Sequence, residues 1–593
     1  MRSIENGKPM ERRSHLSAMS WMHIFLMVLA LTFGAKARKP NVVLILTDDQ
    51  GYGDLSCHGN PLLKTPELDR LHADSIRFTD MHANPFCTPT RAALMTGHYA
   101  TRTGAYRTSA GRDRMHSDEK TMAQFFGDSG YATGLFGKWH LGDNYPHRPQ
   151  DRGFQEVLWH RCGGIGQSAD YWGNDYFDDT YERNGKFEKF KGYCTDIWFE
   201  EALGFIEMKA REKKPFFVYL ATNAPHSPFR VAASYEQPYR KSAAWRKGKA
   251  SKFYGMIANL DENVGKLRRK LKSWGLAENT ILIFMTDNGT SGGVEMETDG
   301  QVVEGKGFNA GMRGRKASVY DGGHRVPFFV HWPEGGWTGG RDIATLVAAY
   351  DVLPTLIELC GLGGRKNGFD GRSLAPLLAE RGDWPERELV LQYQGGNGFT
   401  YLPEKWSDSV VMTERWRLVD GRHLFDIEKD PSQRHDVAPD HPETVRRLRI
   451  RYEEWWEEVS PRMRPVRIHV GHPAQPRVIL TPQDWYTAIG NPQTRIREPA
   501  TVSAPLMLHV ARSGVYRVTL SQYPLEAHQP MASSRAVLRI AGKSVEKRIK
   551  KGESAVSFEL RLMQGDANME ALLRMDSGQE GSAYYVYVER IDD

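Results

Sequence analysis

Residues 41–49 read NVVLILTDD, an unbroken run of apolar and β-branched side chains that ends in two aspartates. Three later runs have the same character: YATGLF at 131–136, PFFVYL at 215–220 and TILIFMT at 280–286. Between the runs lie segments with apolar residues at helical spacing, among them 196–209 and 253–272. Apolar strands that alternate with helices predict an α/β fold with a mixed, mostly parallel sheet flanked by helices.

Ionisable or amide side chains follow each of these four predicted strands. They are Asp48 and Asp49, then Lys138 and His140, then His226, and finally Asp287 and Asn288. Ligands of open α/β sheets bind beyond the carboxyl ends of the strands, so these side chains should meet at one edge. A single Asp or Asn after a strand is more often a helix cap or turn residue. Four strands that carry such groups to one edge favour a functional site.

The acids and the amide of this set supply only hard oxygen ligands. Asp48, Asp49, Asp287 and Asn288 therefore suit Ca²⁺, or less well Mg²⁺, better than Zn²⁺. A divalent ion would also remove the repulsion among clustered carboxylates. The alternative at this stage is an acidic edge that binds no ion.

Positive charge and histidines accompany the predicted metal ligands. Arg91, Lys138 and Lys316 are fixed cations, and His140 and His226 exchange protons near neutral pH. Cations, a metal ion and histidines together suit the transfer of a tetrahedral oxyanion. The predicted substrate is therefore a sulfate or phosphate ester. A strong nucleophile is missing from the set unless Cys87 supplies it.

The first 37 residues of this 593-residue sequence differ in character from the rest. Residues 1–37 contain a charged stretch, the apolar run WMHIFLMVLALTF and a small-residue AKA site, which is typical of a cleaved secretory signal peptide. We expect export to the periplasm or the medium and no stable membrane insertion after cleavage. A membrane anchor is the alternative, but the apolar run is shorter than the roughly 20 residues that span a bilayer.

Net charge and cysteine content narrow the function classes. Residues 1–37 hold five Lys/Arg and two Asp/Glu, so their removal lowers the formal net charge from +6 to +3. Such a small excess makes a nucleic-acid partner improbable. Five cysteines, an odd number, predict at least one special or unpaired thiol, and Cys87 is the candidate. A pair between Cys162 and Cys194 is possible, although sequence does not fix connectivity.

Composition shifts divide the rest of the chain into three predicted parts. Residues 38–385 form the catalytic α/β domain, and 386–462 form a small α+β subdomain with strands near 389–392 and 408–411 and a helix at 442–459. From 463 to 593 the periodicity becomes two, with runs such as GVYRVTLSQ, which predicts a C-terminal β-sandwich. The aromatic segment 162–181 either lines a sugar-binding rim or packs on itself.

Cys87 lies in CTPTRAALMTG, which resembles the Cys-x-Pro-x-Arg signature of type I sulfatases. The segments NVVLILTDDQGYGD, GKWHLG, TDNG, GRKASVYDGGHRVP and FDGRSLAPLL agree with that family in order, over roughly residues 39–460. The resemblance implies an alkaline-phosphatase-like sheet, one bound Ca²⁺, and oxidation of the cysteine to formylglycine (3-oxoalanine) by a separate formylglycine-generating enzyme. Thr90 departs from the family, in which serine is commoner at this position.

The resemblance also implies a role for each site residue. Asp48, Asp49, Asp287, Asn288 and the modified Cys87 would hold the calcium ion. Arg91 and Lys138 would steady the hydrated aldehyde, and Lys138, His226 and Lys316 would bind the sulfate. One hydroxyl of the hydrate would attack sulfur with help from Asp287, and His226 or Lys316 would protonate the leaving alcohol. His140 would then take the proton of the second hydroxyl, which expels sulfate.

The expected function is therefore hydrolysis of a sulfate ester on a small molecule or glycan, with a carbohydrate as the favoured substrate and aryl sulfates as surrogates. Two alternatives stay open. One is a formylglycine-dependent phosphodiesterase or phosphonate monoester hydrolase, since some of those share the fold and the modified residue. The other is an inactive relative that binds glycans through the β-sandwich.

Overall fold

A computed structural model describes residues 38–240, 249–296, 302–304, 307–364, 368–381, 384–393, 404–486 and 492–592. The predicted signal peptide, residues 1–37, lies outside the described residues. Residues 41–593 pack as one unit, and the following description concerns that unit.

The strands of the described residues are numbered in chain order. They are β1 Asn41–Thr47, β2 Ile76–Phe78, β3 Met81–His82, β4 Ala132–Lys138, β5 Glu156–His160, β6 Thr180–Arg183, β7 Lys186–Lys189, β8 Phe216–Ala221, β9 Thr280–Thr286, β10 Val294–Met296, β11 Val302–Glu304, β12 Phe328–His331, β13 Asp342–Ile343, β14 Val347–Ala348, β15 Leu389–Gln392, β16 Ser409–Met412, β17 Trp416–Val419, β18 His423–Asp426, β19 Ile468–Val470, β20 Arg477–Leu480, β21 Leu506–Val510, β22 Gly514–Ser521, β23 Arg535–Ile540, β24 Lys543–Arg548, β25 Val556–Leu562, β26 Gly565–Arg574, β27 Glu580–Ser582 and β28 Tyr585–Arg590.

The α-helices of the described residues connect or flank these strands. They are Pro66–Asp74, Cys87–Thr96, Ala100–Thr103, Met122–Asp128, Cys194–Arg211, Ala233–Glu236, Lys249–Ser273, Asp321–His324, Val352–Leu359, Ala375–Leu378 and Pro442–Val459.

The largest sheet has the order β13-β2-β12-β9-β1-β8-β4-β5-β6-β7. Its centre, β9-β1-β8-β4-β5, is parallel throughout, whereas β12 pairs with β9 in antiparallel fashion. The four central runs are fully buried, as their lack of polar alternation predicts. Two apolar cores, one on each face, contain alternate residues of β1, with Val42 and Leu44 on one side and Val43 and Ile45 on the other. The predicted α/β fold with helices on a mostly parallel sheet is confirmed.

One predicted strand ends later than expected. The apolar run at 131–136 forms the strand Ala132–Lys138, because pairing continues through Gly137 with Ala221 and through Lys138 with His160. Lys138 is therefore the last residue of a central strand and not a loop residue that follows it.

The region after the main sheet contains the predicted small α+β subdomain. Strands β15 to β18 form an antiparallel meander, and the helix Pro442–Val459 packs on it through Leu448, Tyr452 and Trp455. The same core includes Tyr99 and Tyr350 of the main body. The meander is thus joined to the α/β part by shared apolar burial.

The C-terminal segment forms the predicted β-sandwich. One sheet has the order β19-β21-β26-β23-β24, with β27 beside β26, and the other has the order β20-β28-β22-β25. A single apolar core lies between the two sheets and includes Leu508, Val518 and Val588. Among the described residues, β19 and β21 pair in parallel, and the other strand pairs of these two sheets are antiparallel.

The possible disulfide between Cys162 and Cys194 is absent among the described residues. The Cys162 thiol lies beside the side-chain oxygens of Gln167 and Gln483, and the Cys194 thiol lies beside the Thr195 hydroxyl. None of the described helices combines the length and the apolar character needed to cross a bilayer.

Candidate active site

The predicted acids meet where β1 and β9 end side by side. Thr47 pairs with Thr286, so Asp48 and Asp49 leave the sheet next to Asp287 and Asn288. The Asp49 amide donates to Asp287 Oδ1 over 3.1 Å, and Asn288 Nδ2 donates to Asp49 Oδ1 over 3.0 Å. All four side chains are buried.

Two oxygen atoms of this group are buried without a hydrogen-bond partner among the described residues: Asp48 Oδ1 and Asn288 Oδ1. An oxygen of Asp48, an oxygen of Asp287 and the sulfur of Cys87 lie within 4.8 Å of one another. Burial of an unpartnered polar atom is costly, and hard oxygen donors are the usual ligands of Ca²⁺. The donor set of the chain therefore fits a hard divalent cation.

Each of the three acids is paired with a different cation. Lys138 Nζ lies 2.7 Å from Asp48 Oδ2, Arg91 Nη2 lies 2.8 Å from Asp287 Oδ2, and Lys316 Nζ lies 2.7 Å from Asp49 Oδ2. Arg91 also donates to the Lys138 carbonyl over 3.1 Å. Arg91 and Lys138 are fully buried, so these pairs are shielded from water.

The pairs and the burial shift the pKa values of the acids in opposite directions. Burial raises the pKa of Asp287 above the usual range, and the nearby Asp48 adds to this effect. Burial would also raise the pKa of Asp49, but Lys316, His226 and Lys138 together outweigh it and hold that pKa well below the usual range. In turn, burial would lower the pKa of Lys316, whereas Asp49, with Cys87 and Asp48, raises it well above normal. Lys316 is consequently a protonated cation.

Cys87 begins the helix Cys87–Thr96 and is 2 % exposed. Burial raises the pKa of its thiol, although Lys138 and Lys316 act in the opposite direction. The unmodified side chain is thus a protonated thiol, which is a poor nucleophile. Thr90 anchors the same helix: its hydroxyl donates to the Asp287 carbonyl over 2.7 Å and accepts from the Asn84 amide over 2.8 Å.

His140 is buried and has one defined hydrogen-bond partner. Its Nε2 lies 2.9 Å from the Thr108 carbonyl oxygen, which only accepts, so Nε2 carries the hydrogen. Nδ1 has no partner among the described residues. Burial, with Lys138 and Arg91 nearby, holds the pKa of His140 well below normal. The imidazole is neutral, with Nδ1 as the nitrogen that can accept a proton.

His226 has the opposite tautomer. Its Nδ1 donates to the Ser227 carbonyl over 2.6 Å, and its Nε2 lies 3.7 Å from Asp49 Oδ2. Burial lowers the pKa of His226 to about 3, even though Asp49 favours the charged form.

The backbone is unusual at two of these positions. Asp49 has a φ of 68° and His140 a φ of 57°, both in the left-handed region that favours glycine. Backbone strain of this kind is concentrated at functional sites.

A cavity of about 170 Å³ opens next to these groups. Its lining includes Cys87, His140, His226 and Lys316 from the predicted set, together with Phe86, Thr108, Ser109, Cys162, Gly163, Gln167, Ser168, Gln483 and Pro492. Arg91 and Lys138 do not line it and lie behind its wall. Gln483 and Pro492 come from the C-terminal segment, and no motif in the sequence pointed to them.

The aromatic segment 162–181 contributes to this cavity only through its non-aromatic beginning. Tyr176 and Tyr181 are buried in one core of the main sheet, and Trp172 packs edge-on against Tyr523 of the sandwich. For these aromatic rings, packing rather than a sugar-binding rim is what the structure shows.

Comparison with known proteins gives the family. The Sulfatase family model matches residues 40–362, which is more than half of the chain. The chain belongs to the sulfatase family. A second model, described as N-sulphoglucosamine sulphohydrolase, C-terminal, matches residues 314–455 of this sulfatase.

Curated relatives agree with this assignment. The chain is 31% identical over 397 residues to N-acetylgalactosamine-6-sulfatase of Mus musculus, covering 63% of this chain and 72% of the relative. It is 32% identical over 399 residues to arylsulfatase A of Homo sapiens, covering 61% of this chain and 72% of the relative. Among solved structures, Ps i-CgsB in complex with k-i-k-neocarrahexaose has a TM-score of 0.61 and 29% identity, covering 70% of this chain and 92% of that chain. The sulfatase is a sulfuric ester hydrolase with an alkaline-phosphatase-like fold.

Proposed function

We propose that this sulfatase hydrolyses a sulfate ester on a carbohydrate, with aryl sulfates as surrogate substrates. Relatives named for N-acetylgalactosamine-6-sulfatase activity support a sugar substrate, as does the similar structure that contains a carrahexaose. The observation that carries the proposal is the meeting of Cys87, His140, His226 and Lys316 at one cavity beside three buried acids. The phosphonate hydrolase alternative is not favoured by these relatives.

The proposal includes a calcium ion held by Asp48, Asp49, Asp287, Asn288 and the modified Cys87. The unpartnered Asp48 Oδ1 and Asn288 Oδ1 support it, because both are oxygen donors that lack a protein partner among the described residues. When bound, the ion supplies a fixed positive charge against the sulfate oxygens.

Cys87 is the proposed site of conversion to formylglycine by a separate maturing enzyme. The modified side chain supplies the hydroxyl nucleophile that the buried, protonated thiol does not. Thr90 supports this assignment, since its hydroxyl holds the start of the helix to the strand end at Asp287.

The remaining roles follow from position and charge. Lys316 and His226 line the cavity and would hold the sulfate. Lys138 is paired with Asp48 behind the wall and would act on the sulfate and the modified Cys87 from there, while Arg91 steadies that pair through the Lys138 carbonyl.

Proton transfers are assigned to the groups that hold or accept a proton. Asp287, with its raised pKa, would help to deprotonate the nucleophile. Of the two candidates for protonating the leaving alcohol, Lys316 retains a proton and His226, with a pKa of about 3, does not. His140 would accept a proton at its bare Nδ1.

We also propose export of the mature chain to the periplasm or the medium, on the strength of the N-terminal sequence pattern. N-terminal sequencing of protein isolated from the culture medium or the periplasm tests this. A mature chain that still begins at Met1 would contradict it.

The central experiment compares an aryl sulfate, an aryl phosphodiester and a panel of sulfated monosaccharides. We expect turnover of the aryl sulfate and of at least one sulfated sugar, and loss of both activities in Cys87→Ala. Mass spectrometry of the peptide that contains position 87 should show formylglycine in place of cysteine. A much higher rate on the phosphodiester, or an active Cys87→Ala variant, would refute the proposal.

A further inference from the structure

The C-terminal sandwich places one side chain in the wall of the active-site cavity. Gln483 lies in the short helix Pro482–Asp484, just after β20, and is 4 % exposed. Its Nε2 donates to the Thr108 carbonyl over 2.7 Å and to Asp113 Oδ2 over 2.9 Å. Its Oε1 lies 3.3 Å from the Cys162 sulfur. The amide group is therefore fully used by protein partners and has no hydrogen left for a substrate.

The Thr108 carbonyl is shared by Gln483 and His140. Its oxygen receives Nε2 of His140 over 2.9 Å and Nε2 of Gln483 over 2.7 Å, which fills both lone pairs. This oxygen decides which nitrogen of His140 carries the hydrogen and which one is bare. Whatever fixes the carbonyl of Thr108 therefore fixes the tautomer and direction of the imidazole.

The peptide around Thr108 is held by the sandwich at further points. The Gly111 amide donates to the Gln483 carbonyl over 3.3 Å, and Arg114 Nη1 lies 2.5 Å from Asp484 Oδ1. Arg114 and Asp484 are both buried, so this ion pair is costly to separate. The two chain segments are thus tied together on either side of the shared carbonyl.

A second backbone segment confines the imidazole near Cε1 and Nε2. A Cβ atom added to Gly163 would lie 2.5 Å from Cε1 of His140, so the backbone here passes directly against the ring. The preceding residue, Cys162, is the one that contacts Gln483. Gln483 therefore touches both segments that confine His140.

We propose that Gln483 is a positioning residue for His140, and that through it the C-terminal sandwich completes the active site of the sulfatase. This inference rests on the proposed role of His140 as a proton acceptor. Gln483 acts by holding the Thr108 carbonyl, so that the imidazole keeps its hydrogen on Nε2 and presents Nδ1.

The test replaces Gln483 with Met, which keeps the length of the side chain and removes both donors. We expect kcat on an aryl sulfate to fall by about 10- to 100-fold with no increase in KM, because orientation of a proton-transfer group is lost and sulfate binding is not. An unchanged kcat, or a raised KM with kcat unchanged, would overturn the inference, the latter by showing a direct substrate contact.

A double-mutant cycle separates positioning from general damage. In a His140→Ala background, Gln483→Met should lower kcat no further, because the group that it positions is already gone. An equal loss in both backgrounds would mean that Gln483 does not act through His140. Should Gln483→Met fail to fold, Gln483→Asn carries the same test, since it keeps the amide but shortens its reach by about 1.5 Å.

The matched control is Gln522→Met. Gln522 is a fully buried glutamine of the same sandwich, whose Nε2 donates to the Ile496 carbonyl over 3.0 Å and whose Oε1 accepts from the Ala532 amide over 3.0 Å. It should lower thermal stability and leave kcat unchanged below the melting transition. An inactive wild-type enzyme would refute the proposed function, whereas an active wild type with an equally active Gln483→Met would refute only the positioning role.

Discussion

Each acid of the site is neutralised by its own cation, and this balance has a measurable consequence. Lys138, Arg91 and Lys316 hold Asp48, Asp287 and Asp49 in the structure, yet Asp48 Oδ1 and Asn288 Oδ1 have no hydrogen-bond partner among the described residues. A cation that binds the folded state alone stabilises it by an amount that grows with the logarithm of its concentration over its dissociation constant.

Calcium should therefore raise the melting temperature of the metal-depleted protein. At 100 times the dissociation constant, the expected stabilisation is about 2.7 kcal/mol, measured by calorimetry with and without Ca²⁺. Asp49→Asn should lose this shift. Asp54→Asn is the control, because burial raises the pKa of Asp54 to about 7 and a neutral amide replaces it with little change. An equal calcium shift in Asp49→Asn would contradict the proposed ligand set.

The hydroxyl group of Thr90 can be tested by variants that keep it or remove it. Thr90→Ser keeps the hydroxyl that bonds the Asp287 carbonyl and the Asn84 amide, so folding and modification of Cys87 should persist. Thr90→Val leaves those buried groups unpaired and should cost about 1–3 kcal/mol of unfolding free energy. Urea denaturation of the two variants measures the difference. Equal stability of both would show that the hydroxyl is dispensable.

Sequence alone located the residues that follow strands, and it did not locate Gln483. Asp48 and Asp287 stand directly after apolar runs whose edge of the sheet is predictable. Gln483 reaches the same cavity from 375 positions beyond Thr108, and its surroundings read as an ordinary turn in a β-rich segment. A contact of that kind depends on how the sandwich packs, which no local pattern encodes.

Among the elements, the long apolar strands, the amphipathic helices and the short strand at 389–392 were predictable, and other short strands were not. β1, β9 and the helix Pro442–Val459 have the predicted bounds. β2, β12 and β13 complete one side of the main sheet, but they are two to four residues long and lack a clear period. Their pairing is decided by neighbouring strands and not by their own sequence.

Strand β17 of the meander anchors itself to the main body through one buried arginine. Arg417 Nε lies 3.0 Å from Asp321 Oδ1, and its Nη2 lies 3.3 Å from Asp80 Oδ1. Burial would raise the pKa values of both acids, but Arg417, together with His82, outweighs it and lowers them. These lowered pKa values stabilise the fold above the unfolded value of 3.8, and that contribution is lost as the pH falls through the folded values.

Arg417→Met should destabilise the protein by about 3–5 kcal/mol near neutral pH, because it removes the buried cation that Asp321 and Asp80 share. Asp80 then keeps His82 and the more distant Arg325, whose Nε lies 3.6 Å away. Without the arginine, burial favours the protonated acids. The loss of unfolding free energy relative to the wild type should therefore grow as the pH rises from 5 to 7.5. Urea denaturation at the two pH values measures this. Arg517→Met is the control, since its pair with Glu559 is solvent-exposed and worth at most about 1 kcal/mol. A pH-independent deficit would contradict the electrostatic explanation.

At the scale of the whole molecule, the sandwich is packed against the cavity of the candidate active site and supplies part of its lining. It buries Gln483 against Thr108 and Asp484 against Arg114, so its loss would expose charges that the main body cannot satisfy alone. The domain boundary near residue 462 stays a prediction, and under the proposed positioning role of Gln483 the active site would extend across it.

A chain that ends at Arg462 should lose more activity than Gln483→Met and should unfold at a lower temperature. The reason is that Arg114 and Asp113 lose buried partners together with the positioning amide. Aryl sulfate turnover and limited proteolysis of the truncated chain measure the two effects. A truncated chain with the same kcat as the full-length protein would show that the sandwich does not contribute to catalysis.

The strained left-handed backbone at Asp49 and His140 lowers the free energy of unfolding of this enzyme. Glycine relaxes such a conformation, and each such residue holds about 1–3 kcal/mol. Selection for heat resistance alone would favour glycine at such positions, and under the proposed mechanism His140→Gly would also remove the proton acceptor. A screen for more heat-resistant variants of this protein must therefore measure both the turnover and the melting temperature of each variant.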